Sequence, residues 1–145
     1  MWGSSAVGKP VILFVEDDED LLEMTTLMLR ERGFTVLTAQ NAADAVMILR
    51  TREGPVDVLV TDLRLPGVSG GELARSAVAL RPGLDVVYVS GIPHEIALKL
   101  NLLTAGGNFI EKPFSADRLA ATVSTSLSAR KSNRQKVAPA KTARP

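Results

Sequence analysis

Four short strand-like runs in this chain each stop at a residue able to do chemistry. Val11-Ile12-Leu13-Phe14-Val15 stops at Glu16 and Asp17, and Val58-Leu59-Val60-Thr61 stops at Asp62. Asp85-Val86-Val87-Tyr88-Val89 stops at Ser90, and Asn108-Phe109-Ile110-Glu111 stops at Lys112. The carboxyl ends of strands in an open α/β sheet are where ligands collect. Brought together, three carboxylates cannot all stay ionised without a counter-charge. A hard divalent cation such as Mg²⁺ supplies one, because it takes oxygen ligands from one or two carboxylates, waters and a phosphate. Lys112 adds an ammonium group and Ser90 a hydroxyl. Such a set suits phosphoryl transfer onto a carboxylate: cation and ammonium neutralise the phosphoryl oxygens, and an aspartate is the nucleophile. Each residue alone has a plainer reading. A strand-end aspartate usually serves a loop or cap, and a lysine is often just solvated. For Asp18, Glu19 and Asp20 the plain reading, a solvated helix start, is the one adopted.

The elements that must position these groups follow from periodicity and punctuation. The central run is apolar and β-branched, which reads as a buried strand, and Leu65-Pro66-Gly67 turns the chain behind Asp62. Leu21, Leu22, Thr25, Met28 and Leu29 have helical spacing, so a first helix spans about 19–32, capped by Asp18 and ended by Gly33. Thr35–Ala39 is a second strand, and Asn41 caps a second helix with Ala42, Ala45, Val46 and Leu49 as its apolar stripe. Ser69-Gly70-Gly71-Glu72 has the capping-box pattern, starting a third helix that runs to Leu80. Arg81-Pro82-Gly83 is a turn. Pro93 suits the first turn of a fourth helix that continues to about Leu103, with Gly106-Gly107 ending it. Ser115 caps a fifth helix carrying Leu119, Val123 and Leu127. Five strands alternating with five helices predict an α/β, flavodoxin-like, doubly wound (βα)5 fold. Its parallel five-stranded sheet would have the order 2-1-3-4-5.

Composition sets the outer limits. The 145 residues fit one domain, and 46% hydrophobic residues can build a core. There is no cysteine, which excludes disulfides and thiolate metal sites. No apolar run approaches the ~20 residues of a membrane span, and the start lacks a signal core; a cytoplasmic protein with no membrane association is the expectation. Residues 1–9 read as a flexible lead-in, 10–129 as the folded domain, and 130–145 as a basic disordered tail. That tail holds six bases and no acid, so residues 1–129 carry 11 bases against all 16 acids, a net charge of −5.

Val15-Glu16-Asp17-Asp18, Asp62-Leu63-Arg64-Leu65-Pro66 with Gly70, Val89-Ser90-Gly91, and Phe109 with Lys112-Pro113-Phe114 together resemble the response-regulator receiver domain of two-component signalling. The resemblance covers about residues 10–129, and the wording is similar to receivers of hybrid histidine kinases. It implies that Asp62 accepts a phosphoryl group from a histidine kinase or histidine phosphotransfer protein. It implies Mg²⁺ held by Asp17 and Asp62, by Glu16 through water, and by the Arg64 backbone carbonyl. Ser90 and Lys112 would hold the phosphoryl oxygens and Phe109 would be the rotameric switch. Pro66, Gly70 and Pro113 would shape the loops. The surface of helix 4, strand 5 and helix 5 would then contact a downstream protein. Three positions depart from the family pattern. Glu16 stands where Asp is frequent, Gly91 where Ala is usual, and Phe109 has no hydroxyl, so any switching there works by packing.

Other classes leave different marks. A receiver-like adaptor that is never phosphorylated is the first alternative, and the intact acids, Ser90 and Lys112 argue against it. A flavin-binding protein of the same fold would have Ser, Thr and Gly after the first strand, where this chain has only acids. An aspartate-nucleophile phosphatase would have a second acid two residues after the nucleophile, where this chain has Arg64. No output domain follows residue 129, so DNA binding is not expected.

Overall fold

The computed structural model describes residues 8–103 and 107–142, the stretch 130–142 by its backbone alone. The lead-in expected over 1–9 therefore lies almost wholly outside the described residues. Five strands, β1 (Val11–Val15), β2 (Thr35–Ala39), β3 (Val58–Asp62), β4 (Asp85–Ser90) and β5 (Asn108–Glu111), form one parallel sheet in the order β2-β1-β3-β4-β5. Among the described residues, five helices connect and follow them: α1 (Glu19–Glu31), α2 (Ala42–Thr51), α3 (Gly70–Leu80), α4 (His94–Lys99) and α5 (Ala116–Thr142).

Side chains alternate across the sheet, and this period of two divides the core. Leu13, Val15, Leu59, Val86 and Tyr88 pack on one face with Ala45, Leu49, Leu73, Ala77 and Ala97 of α2, α3 and α4. Ile12, Phe14, Val58, Val60, Val87, Val89 and Ile110 pack on the other with Leu22 and Leu29 of α1 and Leu119 and Val123 of α5. A sheet covered on both faces explains why its strands read as continuous apolar runs.

Helix ends follow local chemistry. Asp18 caps α1 by accepting from Leu21 N–H at 3.1 Å, and Ser69 and Glu72 complete the capping box of α3. After α1, Gly33 takes a positive φ of 96°, and Phe34 N–H and Gly33 N–H return to Leu29 and Arg30 carbonyls. The expected fourth helix is corrected in the same terms. It begins after Pro93 and ends at Lys99, because Asn101 adopts a φ of 57° while Leu102 and Asn101 N–H groups bond back to Ala97 and Leu98. Asparagine tolerates the left-handed conformation that closes such a turn, so the stop comes well before the glycine pair.

The last helix also differs from expectation. It runs to Thr142 rather than ending near 129, so the stretch read as disordered is helical in backbone up to that residue; residues 143–145 lie outside the described residues. Ala, Arg, Lys and Gln are strong helix formers whether or not they bury anything.

Arg81, read from the sequence as part of a turn, ties the end of α3 to the end of α2, its neighbour on the same face of the sheet. Its guanidinium donates to the carbonyls of Leu49 (3.1 Å), Gly54 (2.9 Å) and Arg52 (2.7 Å). These include carbonyls at the carboxyl end of α2, where a helix lacks partners of its own and favours a cation. Arg81→Ala should lower stability by about 1.5–3 kcal/mol, the range for hydrogen bonds to a charged group, and Arg81→Lys should recover only part, having no planar fork. Urea unfolding of the three proteins tests this; equal midpoints would show the clamp to be idle.

Candidate functional site

The strand register brings the chemistry-bearing residues to one edge. Asp62 lies opposite Val89, and Ser90 opposite Glu111. The ladder continues one step further, because Lys112 N–H donates to the Ser90 carbonyl at 2.7 Å. Glu16 directly follows β1, and Glu16 N–H donates to the Ala39 carbonyl at 3.1 Å. Four strands thus deliver Glu16, Asp62, Ser90 and Lys112 side by side.

Asp62 is buried to 6% exposure. Its Oδ1 accepts from Arg64 N–H at 2.9 Å, and its Oδ2 accepts from Lys112 Nζ at 2.5 Å. Glu16 is 1% exposed; its Oε2 accepts from Asp18 N–H at 3.1 Å and its Oε1 from Lys112 Nζ at 2.9 Å. Lys112 therefore bridges both carboxylates, a pairing with Glu16 that sequence reasoning did not anticipate. Ser90 is 1% exposed, and its Oγ accepts from Ile92 N–H at 3.0 Å. Gly91 is exposed, and a Cβ added there would meet nothing within 4 Å beyond its chain neighbours.

The electrostatics are unbalanced. Burial pushes the Glu16 carboxyl above its ordinary value, against the hydrogen bonds from Lys112 and from Asp18 N–H, and the charge of Asp62 adds to the rise. Burial opposes the charge on Lys112, but its hydrogen bonds to Asp62 and Glu16 together outweigh that and raise it. One ammonium group faces three acids, since exposed Asp17 stands beside the other two. One oxygen from each of Glu16, Asp17 and Asp62 lies within 4.8 Å of the others. A small cation bound at ~2.1 Å spans up to ~4.2 Å between opposite ligands, so these oxygens fit such an ion held partly directly and partly through water.

The remaining candidates are structural or lie at the rim. Gly70 is buried because α3 starts hard against β3: a Cβ there would sit 2.1 Å from the Asp62 carbonyl oxygen, and Gly70 N–H donates to the Leu63 carbonyl at 2.8 Å. Pro66 is exposed in the turn, its carbonyl accepting from Val68 N–H, with Gly67 at a φ of 83°. Arg64 is exposed two residues beyond Asp62, and Pro113 follows Lys112 across a cis peptide bond. Phe109 is half-buried, touches the core beneath α4, and stacks on His94 with ring centroids 4.8 Å apart. Sequence reasoning missed His94. It is the only histidine in the chain and lies four residues after Ser90, which was the available signal.

This arrangement has known counterparts. The response regulator receiver domain family matches residues 12–124, and the chain belongs to that family. The sensor kinase CckA of Brucella abortus is 31% identical over 120 residues, covering 83% of this chain and 13% of that protein. The probable transcriptional regulatory protein TcrX of Mycobacterium tuberculosis is 35% identical over 116 residues, covering 79% and 48%. Among solved structures, the receiver domain of the hybrid histidine kinase CckA superposes with a TM-score of 0.68 at 30% identity, covering 81% of this chain and 98% of that one. A CheY-like receiver domain protein of Methanospirillum hungatei superposes with a TM-score of 0.77 at 26% identity, covering 87% and 99%. The chain spans about half, or less, of the length of the curated relatives named here. Among the described residues, no helix is long and apolar enough to cross a membrane.

Proposed function

We propose that this receiver domain is a phosphoacceptor, taking a phosphoryl group onto Asp62 from a histidine kinase or histidine phosphotransfer protein. One observation carries the reading: Asp62 ends the central strand with Lys112 on one carboxylate oxygen, the Arg64 N–H on the other, and two further acids alongside. In the transfer, a carboxylate oxygen of Asp62 forms the bond to phosphorus while the donor's N–P bond breaks, and the histidine nitrogen keeps the electron pair. Lys112 gives charge to the incoming phosphoryl oxygens, and the Ser90 hydroxyl turns to donate to another. A Mg²⁺ ion held by Asp17, Asp62 and the Arg64 carbonyl, with Glu16 acting through water, would neutralise phosphoryl charge. The domain then acts in signalling rather than turning over a substrate: added charge at Asp62 biases the α4–β5–α5 surface between two packings, which a downstream protein reads. The test is intact mass after incubation with acetyl phosphate, with Mg²⁺ and with a chelator. An unmodified chain in both would favour the constitutive adaptor.

The metal assignment has its own test. Asp17→Asn should weaken Mg²⁺ binding at least tenfold, whereas Asp20→Asn should leave it within about twofold, because Asp17 alone of the two joins the oxygen cluster. Calorimetric titration of each variant measures this. Equal losses would mean the acid run acts as a diffuse negative patch.

A further inference from the structure

We propose that the His94 ring is a clamp on Phe109. In the resting chain their stack fixes Phe109 against the start of α4, and movement of Ser90 toward a phosphoryl group on Asp62 releases it. The proposal rests on the phosphoacceptor reading and adds the residue through which the switch is held.

Strand alternation puts Phe109 and Glu111 on one face of β5, while Ile110 enters the core beneath α1 and α5. The start of α4 lies over that same face. Pro93 caps α4 with no side-chain hydrogen bond, so the helix start takes its fixings from β5. His94 N–H donates to the Glu111 carboxylate at 3.3 Å, and the His94 ring lies on Phe109 at 4.8 Å with 21° between the planes. Phe109 offers no hydroxyl, so ring packing is the means by which its side chain is held there.

The link to the site is short. Three residues, Gly91, Ile92 and Pro93, separate Ser90 from His94. In the resting chain Ser90 Oγ accepts from Ile92 N–H, which holds this link down. A Ser90 side chain that rotates toward Asp62 gives up that bond, and the open space beside Gly91 lets the link follow. The backbone of β5 does not follow, because Lys112 N–H and the register from Ser90 to Glu111 tie it to β4. The relative displacement therefore falls on the His94–Phe109 contact.

The test uses the full chain with labelled aromatic rings. NMR follows the His94–Phe109 ring contact and the Phe109 side-chain torsion, while intact mass follows the Asp62 adduct in the same sample. Without phosphodonor, His94→Ala should raise the ratio of released to clamped Phe109 by about 2- to 12-fold, the ratio expected from an aromatic pair of ordinary strength. His94→Phe should restore the wild-type ratio, which a merely polar or helix-capping role of His94 would not allow. With acetyl phosphate and Mg²⁺, the wild-type ring contact should disappear as the adduct forms. An unchanged Phe109 torsion in His94→Ala, or an adduct with the ring contact intact, overturns the clamp alone. Failure to form any adduct overturns the phosphoacceptor reading and the release step with it.

Discussion

Asp62→Asn should abolish phosphorylation by acetyl phosphate altogether, where the wild-type chain gains a single phosphoryl group. The amide nearly matches the carboxylate in shape, and its oxygen can still accept from Arg64 N–H, so the β3–α3 turn should persist. What it lacks is the anionic oxygen that, on the proposed reading, would attack phosphorus. The other acids of the edge do not substitute. Glu16 is more buried than Asp62 and is held by Lys112 and Asp18 N–H, while Asp17 is exposed and lies beside the pocket rather than at the end of the central strand. A thermal melt near that of the wild type, measured alongside the mass, shows that the loss is chemical. An adduct that persists in Asp62→Asn would move the acceptor elsewhere and undo the site assignment.

The second large effect is expected at a residue with no chemistry of its own. Gly70→Ala should destabilise the domain by about 3 kcal/mol, at the upper end of what an added methyl in a close-packed site costs. The new Cβ would lie 2.1 Å from the Asp62 carbonyl oxygen and 2.9 Å from the Leu63 Cα. Both are backbone atoms and cannot rotate away, so either α3 lifts or the end of β3 bends. The second response moves Asp62, so phosphorylation should slow as stability falls. Gly91→Ala is the control. Its Cβ meets nothing within 4 Å, so it should stay within about 0.5 kcal/mol of the wild type. Urea midpoints and adduct rates for both variants check this, and equal stability of Gly70→Ala with the wild type would show that the contact relaxes freely.

The chain by itself determined the order of the elements and which polar residues end the strands. Strands buried on both faces are mostly apolar, so an ionisable or hydroxyl residue at the end of a run marks where the strand gives way to its loop. Asp62, Ser90 and Lys112 were legible for that reason, and Asp18 and Ser69 because a cap needs a particular side chain at a particular spacing. The tertiary structure decided what depends on partners distant in sequence. Lys112 bridges Glu16 across 96 residues, Arg81 reaches α2 across about 30, and Phe109 of β5 finds His94 at the start of α4. Local pattern carries no record of such meetings, because they are set by strand order and by which face each side chain takes. The end of α4 failed for a different reason. Asparagine is tolerated in the left-handed conformation without demanding it, so Asn101 stops the helix only because Leu102 and Asn101 N–H groups find the Ala97 and Leu98 carbonyls in the folded chain.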